Sequence, residues 1–153
     1  RDSIAAKEIE NFDVYGPPQS GFTEQVYFMK MLSDKDGNTT ILLANKGMDK
    51  AVSISYSVKE LPYFTLWKNT SSLEDGYVTG LEPGTSFPNV KSFERKHGRV
   101  VVLKPGEKYR SRVTISAHLG KDDVKKALSR VEAIRGGRHP EILKRPLEEF
   151  SPS

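Results

Sequence analysis

The chain has 153 residues, of which 36% are apolar and 29% charged, and it contains no cysteine. This length suits one domain with a sizeable core and is short for two. The absence of cysteine excludes disulfides, thiolate metal ligands and cysteine nucleophiles. No apolar run approaches the roughly 20 residues of a membrane span, and no secretory signal is recognisable at the start. We therefore expect a soluble, cytoplasmic protein with no membrane partner.

The net charge of +4 hides an asymmetry between the two parts of the chain. Residues 1–90 carry 8 basic and 12 acidic side chains, whereas residues 91–153 carry 16 and 8. A basic region is one feature of nucleic-acid-binding proteins. Here the positive charges are dispersed, without a run of five and without interleaved aromatic residues. A solvated face is the expected explanation, and no nucleic-acid partner is expected.

Strand-like patterns dominate the first 119 residues. The runs 51–58 and 109–119 alternate between two faces, as half-buried strands do. Turn-rich segments separate the runs and no helical pattern lies between them, which favours an antiparallel sandwich over a parallel α/β sheet. The predicted strands are 23–31, 40–44, 51–58, 63–68, 77–79, 98–103 and 109–119.

Local turn chemistry predicts how the first strands connect. The segment 34–38 reads Asp-Lys-Asp-Gly-Asn, a strong turn signal, and predicts a β-hairpin between strands 23–31 and 40–44. A second turn at 45–47 leads into the next strand. Together these elements predict an all-β, antiparallel sandwich.

One amphipathic helix is predicted after the strands, at Lys121–Arg135. Its apolar side chains recur on one helical face, and glycines 136 and 137 stop it. The helix is expected to pack against the sandwich through Val124, Leu128 and Val131.

The predicted organisation is a single domain or part-domain over 1–153. It comprises a sandwich portion at 11–119, the packing helix at 121–135 and a proline-spaced tail at 136–153. The tail is expected to be extended on the surface or disordered. Most of the opening segment 1–20 is expected to be loop, because the run Tyr-Gly-Pro-Pro at 15–18 breaks regular structure.

Several common chemistries have no signature in the sequence. There is no glycine-rich phosphate loop and no nucleophile elbow. The three histidines, His97, His118 and His139, do not have the spacing of metal ligands. Each of them is therefore expected to have a surface or structural role.

Four segments resemble the aldose 1-epimerases, also called galactose mutarotases. They are Gly-Leu-Glu-Pro at 80–83, Phe-Pro-Asn at 87–89, a proline–glycine turn at 103–109, and Leu-Pro-Tyr-Phe-Thr-Leu-Trp-Lys-Asn at 61–69. The last segment is similar to a domain-of-unknown-function branch of the galactose mutarotase-like superfamily. The resemblance covers about residues 11–135, and it implies that the chain is the C-terminal half of such a protein.

The resemblance implies an isomerase that interconverts the anomers of a free sugar or sugar derivative, with neither a cofactor nor a metal. Glu82 matches the family's catalytic base, which removes the proton of the anomeric hydroxyl. Glu24 stands where the family has a sugar-gripping aspartate, and Asn89 stands where it usually has an acid. The family's general-acid histidine belongs to the preceding half. The isolated chain is therefore expected to be inactive.

The residue chemistry agrees with a sugar site. Apolar neighbours of Glu82 are expected to desolvate its carboxylate, which strengthens it as a base. Trp67 offers a flat apolar face for a pyranose ring. Glu24, Gln25, Lys68 and Asn69 are candidate hydrogen-bonding partners for sugar hydroxyls. Each residue also has a plainer interpretation: a solvated loop acid for Glu82, a core tryptophan for Trp67, a solvated strand edge for Lys68, and a lysine pair for Glu24.

Two alternatives from other classes stay open. The chain could be a carbohydrate-binding module without catalysis, or a structural sandwich domain whose basic tail docks a partner. Because part of a sandwich exposes sheet edges and apolar faces, we expect it to associate with its missing N-terminal half or with another copy of the chain.

Overall fold

The strands form two separate three-stranded antiparallel sheets. A computed structural model of the protein describes residues 1–152. The strands are β1 (Gln25–Met29), β2 (Asn38–Ala44), β3 (Lys50–Ser57), β4 (Tyr63–Asn69), β5 (Val78–Gly84) and β6 (Val113–Leu119). The helices are α1 (Ser3–Lys7), a short 3₁₀ turn (Ile9–Asn11), α2 (Lys91–Lys96) and α3 (Lys121–Arg135).

Contacts divide the chain into two compact units. The first unit contains residues 1–30, 63–101 and 141–152, with the sheet β1-β4-β5. The second contains residues 31–62 and 102–140, with the sheet β2-β3-β6 and α3. In the described part of the chain, no helix is both long and apolar enough to cross a bilayer.

The predicted hairpin between the first two strands is wrong. β1 pairs with β4, so that Val26 lies opposite Trp67, whereas β2 pairs with β3. The turn that follows the first strand does form, with the Asp34 carboxylate accepting the amide of Asn38 at 2.8 Å. It does not bring β1 and β2 together, since the two strands belong to different sheets.

The helix α3 spans the predicted residues and ends at Gly136, which has a left-handed conformation (φ 58°) that suits glycine. Val124 and Ala127 are its buried residues, and the helix contacts all three strands of the second sheet. The predicted packing through Leu128 is corrected, because that side chain is 37% exposed. It lies at the margin of the buried face rather than at its centre.

Two predicted strands are shorter than expected or absent. Residues 98–103 form no strand, and residues 109–112 lie outside β6. The proline–glycine turn between them is present, with the Glu107 amide donating to the Lys104 carbonyl at 3.0 Å. A strand needs a ladder partner to satisfy its backbone groups. No described segment pairs with these residues.

The opening and closing segments are more ordered than predicted. Asp2 caps α1 through its Oδ1 atom, which accepts the amide of Ala5 at 3.0 Å. Near the C-terminus, Phe150 stacks against Phe87 with ring centroids 4.8 Å apart. Phe87 also contacts Phe28 and Tyr63, so the tail closes an aromatic cluster in the first unit.

Candidate functional site

Strand β5 carries Glu82, which was predicted to lie in a loop. Glu82 is paired across the ladder with Thr65 of β4, and it is exposed. Because side chains alternate along a strand, its neighbours Leu81 and Pro83 point to the opposite face of the sheet. The expected apolar wall around the carboxylate is therefore not formed by these two residues. Among residues 1–152, Glu82 has no hydrogen-bond partner.

The Glu82 side chain occupies space that the absence of a Cβ atom at Gly80 leaves free. A Cβ atom at Gly80 would stand only 2.2 Å from Oε1 of Glu82, so the carboxylate lies directly over the glycine. Gly80 is itself paired with Trp67 of β4. Directly opposite residues share a face of an antiparallel sheet. Glu82 and Trp67 thus lie on one face of the first sheet, as expected for a shared site.

Trp67 is joined to Glu24, the other predicted carboxylate. Its indole Nε1 donates a hydrogen bond to Oε2 of Glu24 at 2.8 Å. The indole is half-buried and Glu24 is exposed, so the pair remains open to solvent. Trp67, Glu82 and Glu24 therefore lie on the same face: an aromatic platform with a carboxylate from β5 and another from the residue before β1.

Asn69 lies two residues beyond Trp67 on the same strand and thus on the same face. Its Oδ1 atom is buried and, within the described residues, accepts no hydrogen bond. An unpaired buried acceptor is costly in free energy. This oxygen can accept a hydrogen bond from a hydroxyl group.

Gln25 and Lys68 lie on the opposite face and are buried. Oε1 of Gln25 accepts a hydrogen bond from the Tyr27 hydroxyl at 2.8 Å. Nζ of Lys68 donates to the Asn11 carbonyl at 2.9 Å, and burial lowers the pKa of this ammonium group. Lys68 thereby holds the opening segment against the sheet, whereas Gln25 bonds within β1. They are not brought together with Glu82.

The sequence analysis missed a buried ion pair between Glu94 and Arg99. Two hydrogen bonds join them: Nε to Oε2 at 2.6 Å and Nη2 to Oε1 at 2.8 Å. The Phe87 amide and the Asn89 side chain donate to the same carboxylate at 3.1 and 2.8 Å. Burial alone raises the pKa of Glu94, but the hydrogen bonds from Arg99, Asn89 and Phe87 together lower it below its ordinary value. The pair was missed because Arg99 was predicted to lie in a strand at 98–103, and because the helix that carries Glu94, α2, was not predicted.

The arrangement around Arg99 is structural rather than catalytic. Its Nη1 atom donates to the Glu149 carbonyl at 2.7 Å, so all three guanidinium nitrogens are engaged. The guanidinium also lies 5.4 Å from the centre of the Phe87 ring. Asn89, which stands where the family usually has an acid, donates to Glu94 and to the Phe150 carbonyl. A polar cavity of about 290 Å³ adjoins this network, and neither Glu82 nor Trp67 lines it.

The histidines do not supply a partner for Glu82. His118 is buried in the second unit, with Nε2 2.9 Å from Oγ of Ser53 and Nδ1 3.4 Å from Asp123. The order serine, histidine, aspartate resembles a hydrolase triad. However, Ser53 is buried in the middle of β3, where a substrate cannot reach it. In the part of the chain that the structure describes, no group of three possible metal ligands occurs.

A solved structure with the same fold is described as "a putative aldose 1-epimerase" from Klebsiella pneumoniae subsp. pneumoniae MGH 78578. It is 33% identical to this chain, with a TM-score of 0.86 over 90% of the chain. The likeness confirms the predicted galactose mutarotase-like fold, with its antiparallel sheets and C-terminal helix. The chain spans only 36% of the length of that protein.

No curated protein matches the chain, but a protein-family model does. A family model described as "Domain of unknown function (DUF4432)" matches residues 1–117, which is most of the sequence. The chain therefore belongs to the DUF4432 family.

Proposed function

We propose that the chain contributes the general base, Glu82, to a mutarotase-like site that interconverts the anomers of a free sugar. The observation that carries the proposal is the position of this carboxylate, which is exposed and unpaired among residues 1–152 and lies over Gly80 beside Trp67. The similarity to a protein described as an aldose 1-epimerase supports the same reaction class.

The reaction requires two proton movements. A base removes the proton from the anomeric hydroxyl as the bond between C1 and the ring oxygen breaks, and an acid delivers a proton to the ring oxygen. Rotation about the C1–C2 bond and the reverse steps then give the other anomer. Glu82 suits the first movement, because its carboxylate oxygens are acceptors that an approaching hydroxyl group can reach.

The Trp67–Glu24 pair is proposed to hold the sugar. Pyranose rings present apolar C–H faces, and the half-buried indole offers a flat surface for them. Glu24 has a second carboxylate oxygen available for sugar hydroxyls, whereas the unpaired oxygen of Asn69 on the same face is buried. This pair also favours the second candidate function, carbohydrate binding without catalysis.

The second proton movement needs an acid that the described residues do not place beside Glu82. We therefore expect the 153-residue chain alone to show little mutarotation above the buffer rate. Addition of a polypeptide corresponding to the rest of the K. pneumoniae protein is expected to restore it. The proposed site is then shared between the two polypeptides.

The test is polarimetry on freshly dissolved glucose and galactose with the reconstituted protein. Glu82→Gln removes the base while keeping the side-chain shape, and we expect turnover to fall about 10²–10⁴-fold. Glu74→Gln, the same change at another exposed glutamate of the first unit, is the control and should leave turnover unchanged. Equal turnover in both variants would contradict the assignment of Glu82.

Binding can be followed separately, because Trp67 is the chain's single tryptophan. Its fluorescence and its one indole N–H resonance report on the proposed site. If sugar changes these signals in Glu82→Gln although that variant has no turnover, the result supports Glu82 as the base rather than as a sugar-binding residue. A change in a wild-type protein that has no turnover would favour the binding module.

A further inference from the structure

Strand β6 and the segment before it form an apolar surface on the second unit. On one face of β6, Val113, Ile115, Ala117 and Leu119 are all exposed, with 69% of Ile115 and 73% of Leu119 accessible. Val52 of β3 pairs with Ala117 and extends the same face. Single exposed apolar residues are common, but a contiguous group marks an interaction site.

The same strand has a free edge. β6 pairs with β3 on one side only, and no other described strand pairs with it. Its seven residues thus present a row of unpaired backbone groups on the outer side. The opposite face of β6 is occupied differently, since His118 is buried there and contacts Asp123 of α3. The surface open to a partner therefore combines one apolar face with one unpaired edge.

The segment 101–112 adds a second stretch that belongs to no ladder, although the Arg112 amide donates to the Glu60 carboxylate at 2.9 Å and the Tyr109 hydroxyl donates to the Glu60 carbonyl. Every residue in it is exposed, including Val102 at 79%. The sequence pattern predicts strands at 98–103 and 109–119, yet within residues 1–152 neither 98–103 nor 109–112 belongs to a ladder. Because these β-forming residues pair with no described segment, we expect their pairing partner to lie outside the described residues.

We infer that this surface, β6 with residues 101–112, docks β-strands from the part of a mutarotase-like fold that the chain does not include. The K. pneumoniae protein has the same fold at 33% identity, and this chain spans only 36% of it. The larger part of that protein is therefore available to supply strands that pair with β6 and cover Ile115 and Leu119.

A second copy of the chain fits the surface less well. In a two-fold dimer the same patch meets itself. The segment 101–112 carries four cations, Lys104, Lys108, Arg110 and Arg112, and a single acid, Glu107. Self-association would bring the cations of both copies together, which is unfavourable. A partner with acidic residues facing this segment avoids that repulsion.

The test is association of the 153-residue chain with a polypeptide covering the part of the K. pneumoniae protein outside the matched 36%. Light scattering should give a one-to-one complex, and hydrogen exchange should slow at the amides of β6 and of residues 101–103. Ile115→Lys places a charge on the docking face and should weaken binding at least tenfold. Thr114→Lys, an exposed neighbour on the opposite face, is the control and should bind as the wild type does.

Since Ile115 is exposed, its replacement should leave the fold intact, which circular dichroism checks. Val102→Lys, outside every strand, is a second variant with the same expected loss. Failure to form a complex, or equal binding by Ile115→Lys and Thr114→Lys, would overturn the inference. So would a stable dimer of the chain alone that Ile115→Lys dissociates, because the occupant would then be a second copy.

Discussion

Two glutamates of the first unit, 12 positions apart in the sequence, have opposite environments. Glu94 is almost completely buried and accepts hydrogen bonds from Arg99, Asn89 and the Phe87 amide. Glu82 is exposed and, among residues 1–152, accepts none. A carboxylate with every acceptor position occupied holds structure together, whereas one without partners is available to a substrate. The difference distinguishes the structural carboxylate of Glu94 from that of Glu82, the candidate general base.

The largest effect is expected from removing the cation beside Glu94. Arg99→Met leaves a buried carboxylate without its charged partner, and breaking a buried pair in this way costs about 3–5 kcal/mol. The measurement is the free energy of unfolding in urea. Arg95→Met, an exposed neighbour on α2, is the control. A loss below about 1 kcal/mol would show that the ion pair with Arg99 is not what makes Glu94 a structural residue.

An intermediate effect is expected at Gly80. Gly80 does not have a positive φ, so alanine can adopt its backbone conformation, but the new Cβ would collide with Oε1 of Glu82. Because the end of a flexible side chain can move, stability should change little while the carboxylate is displaced. Misplacement by about 1 Å can cost on the order of 10²-fold in rate. We expect a loss of about 10- to 100-fold in reconstituted mutarotation.

Two variants sharpen this test. Gly16→Ala adds a methyl group where no atom lies within 4 Å, and it should leave turnover unchanged. Adding Gly80→Ala to Glu82→Gln should cause no further loss, because the displaced group is already inactive. Additive losses would mean that Gly80 acts independently of Glu82.

The smallest effect is expected at an exposed ion pair of the same unit. Nζ of Lys144 lies 2.8 Å from Oε1 of Glu10, and both side chains are exposed. Water screens such pairs, and most contribute little. Lys144→Met should therefore leave the thermal unfolding midpoint unchanged at low and at high salt. A clear drop at low salt would show that distance, rather than burial, decides which pairs matter.

The sequence predicts best the features that depend on near neighbours. The bounds of α3 follow from its apolar period and from Gly136, and both are local signals. The segments that carry Trp67 and Glu82 are close in the chain and fold into adjacent strands, but the face that the two residues share depends on the ladder register.

Features that depend on distant partners were not predicted. The turn at 34–38 gave no information that β1 would pair with β4 rather than β2. Burial of Glu94 depends on Arg99 and on the carbonyls of Glu149 and Phe150, since Arg99 and Asn89 donate to those carbonyls. Charged residues are usually exposed, so nothing in the local sequence marked Glu94 as buried. The alternation of Gln25 and Trp67 between faces likewise required the ladder register.

The return of the C-terminal residues to the first unit has a consequence for biosynthesis. A ribosome makes the chain from its N-terminus, and domains fold as their residues emerge. All residues of the second unit have been made once residue 140 is reached, but the first unit lacks the carbonyls of Glu149 and Phe150 until those two residues have been added. The strands that carry Glu82 and Trp67 are thus synthesised before the C-terminal contacts that complete their unit. A nascent chain that stalls before residue 149 would hold all residues of the second unit and a first unit without the contacts that Arg99 and Asn89 make to its C-terminal residues.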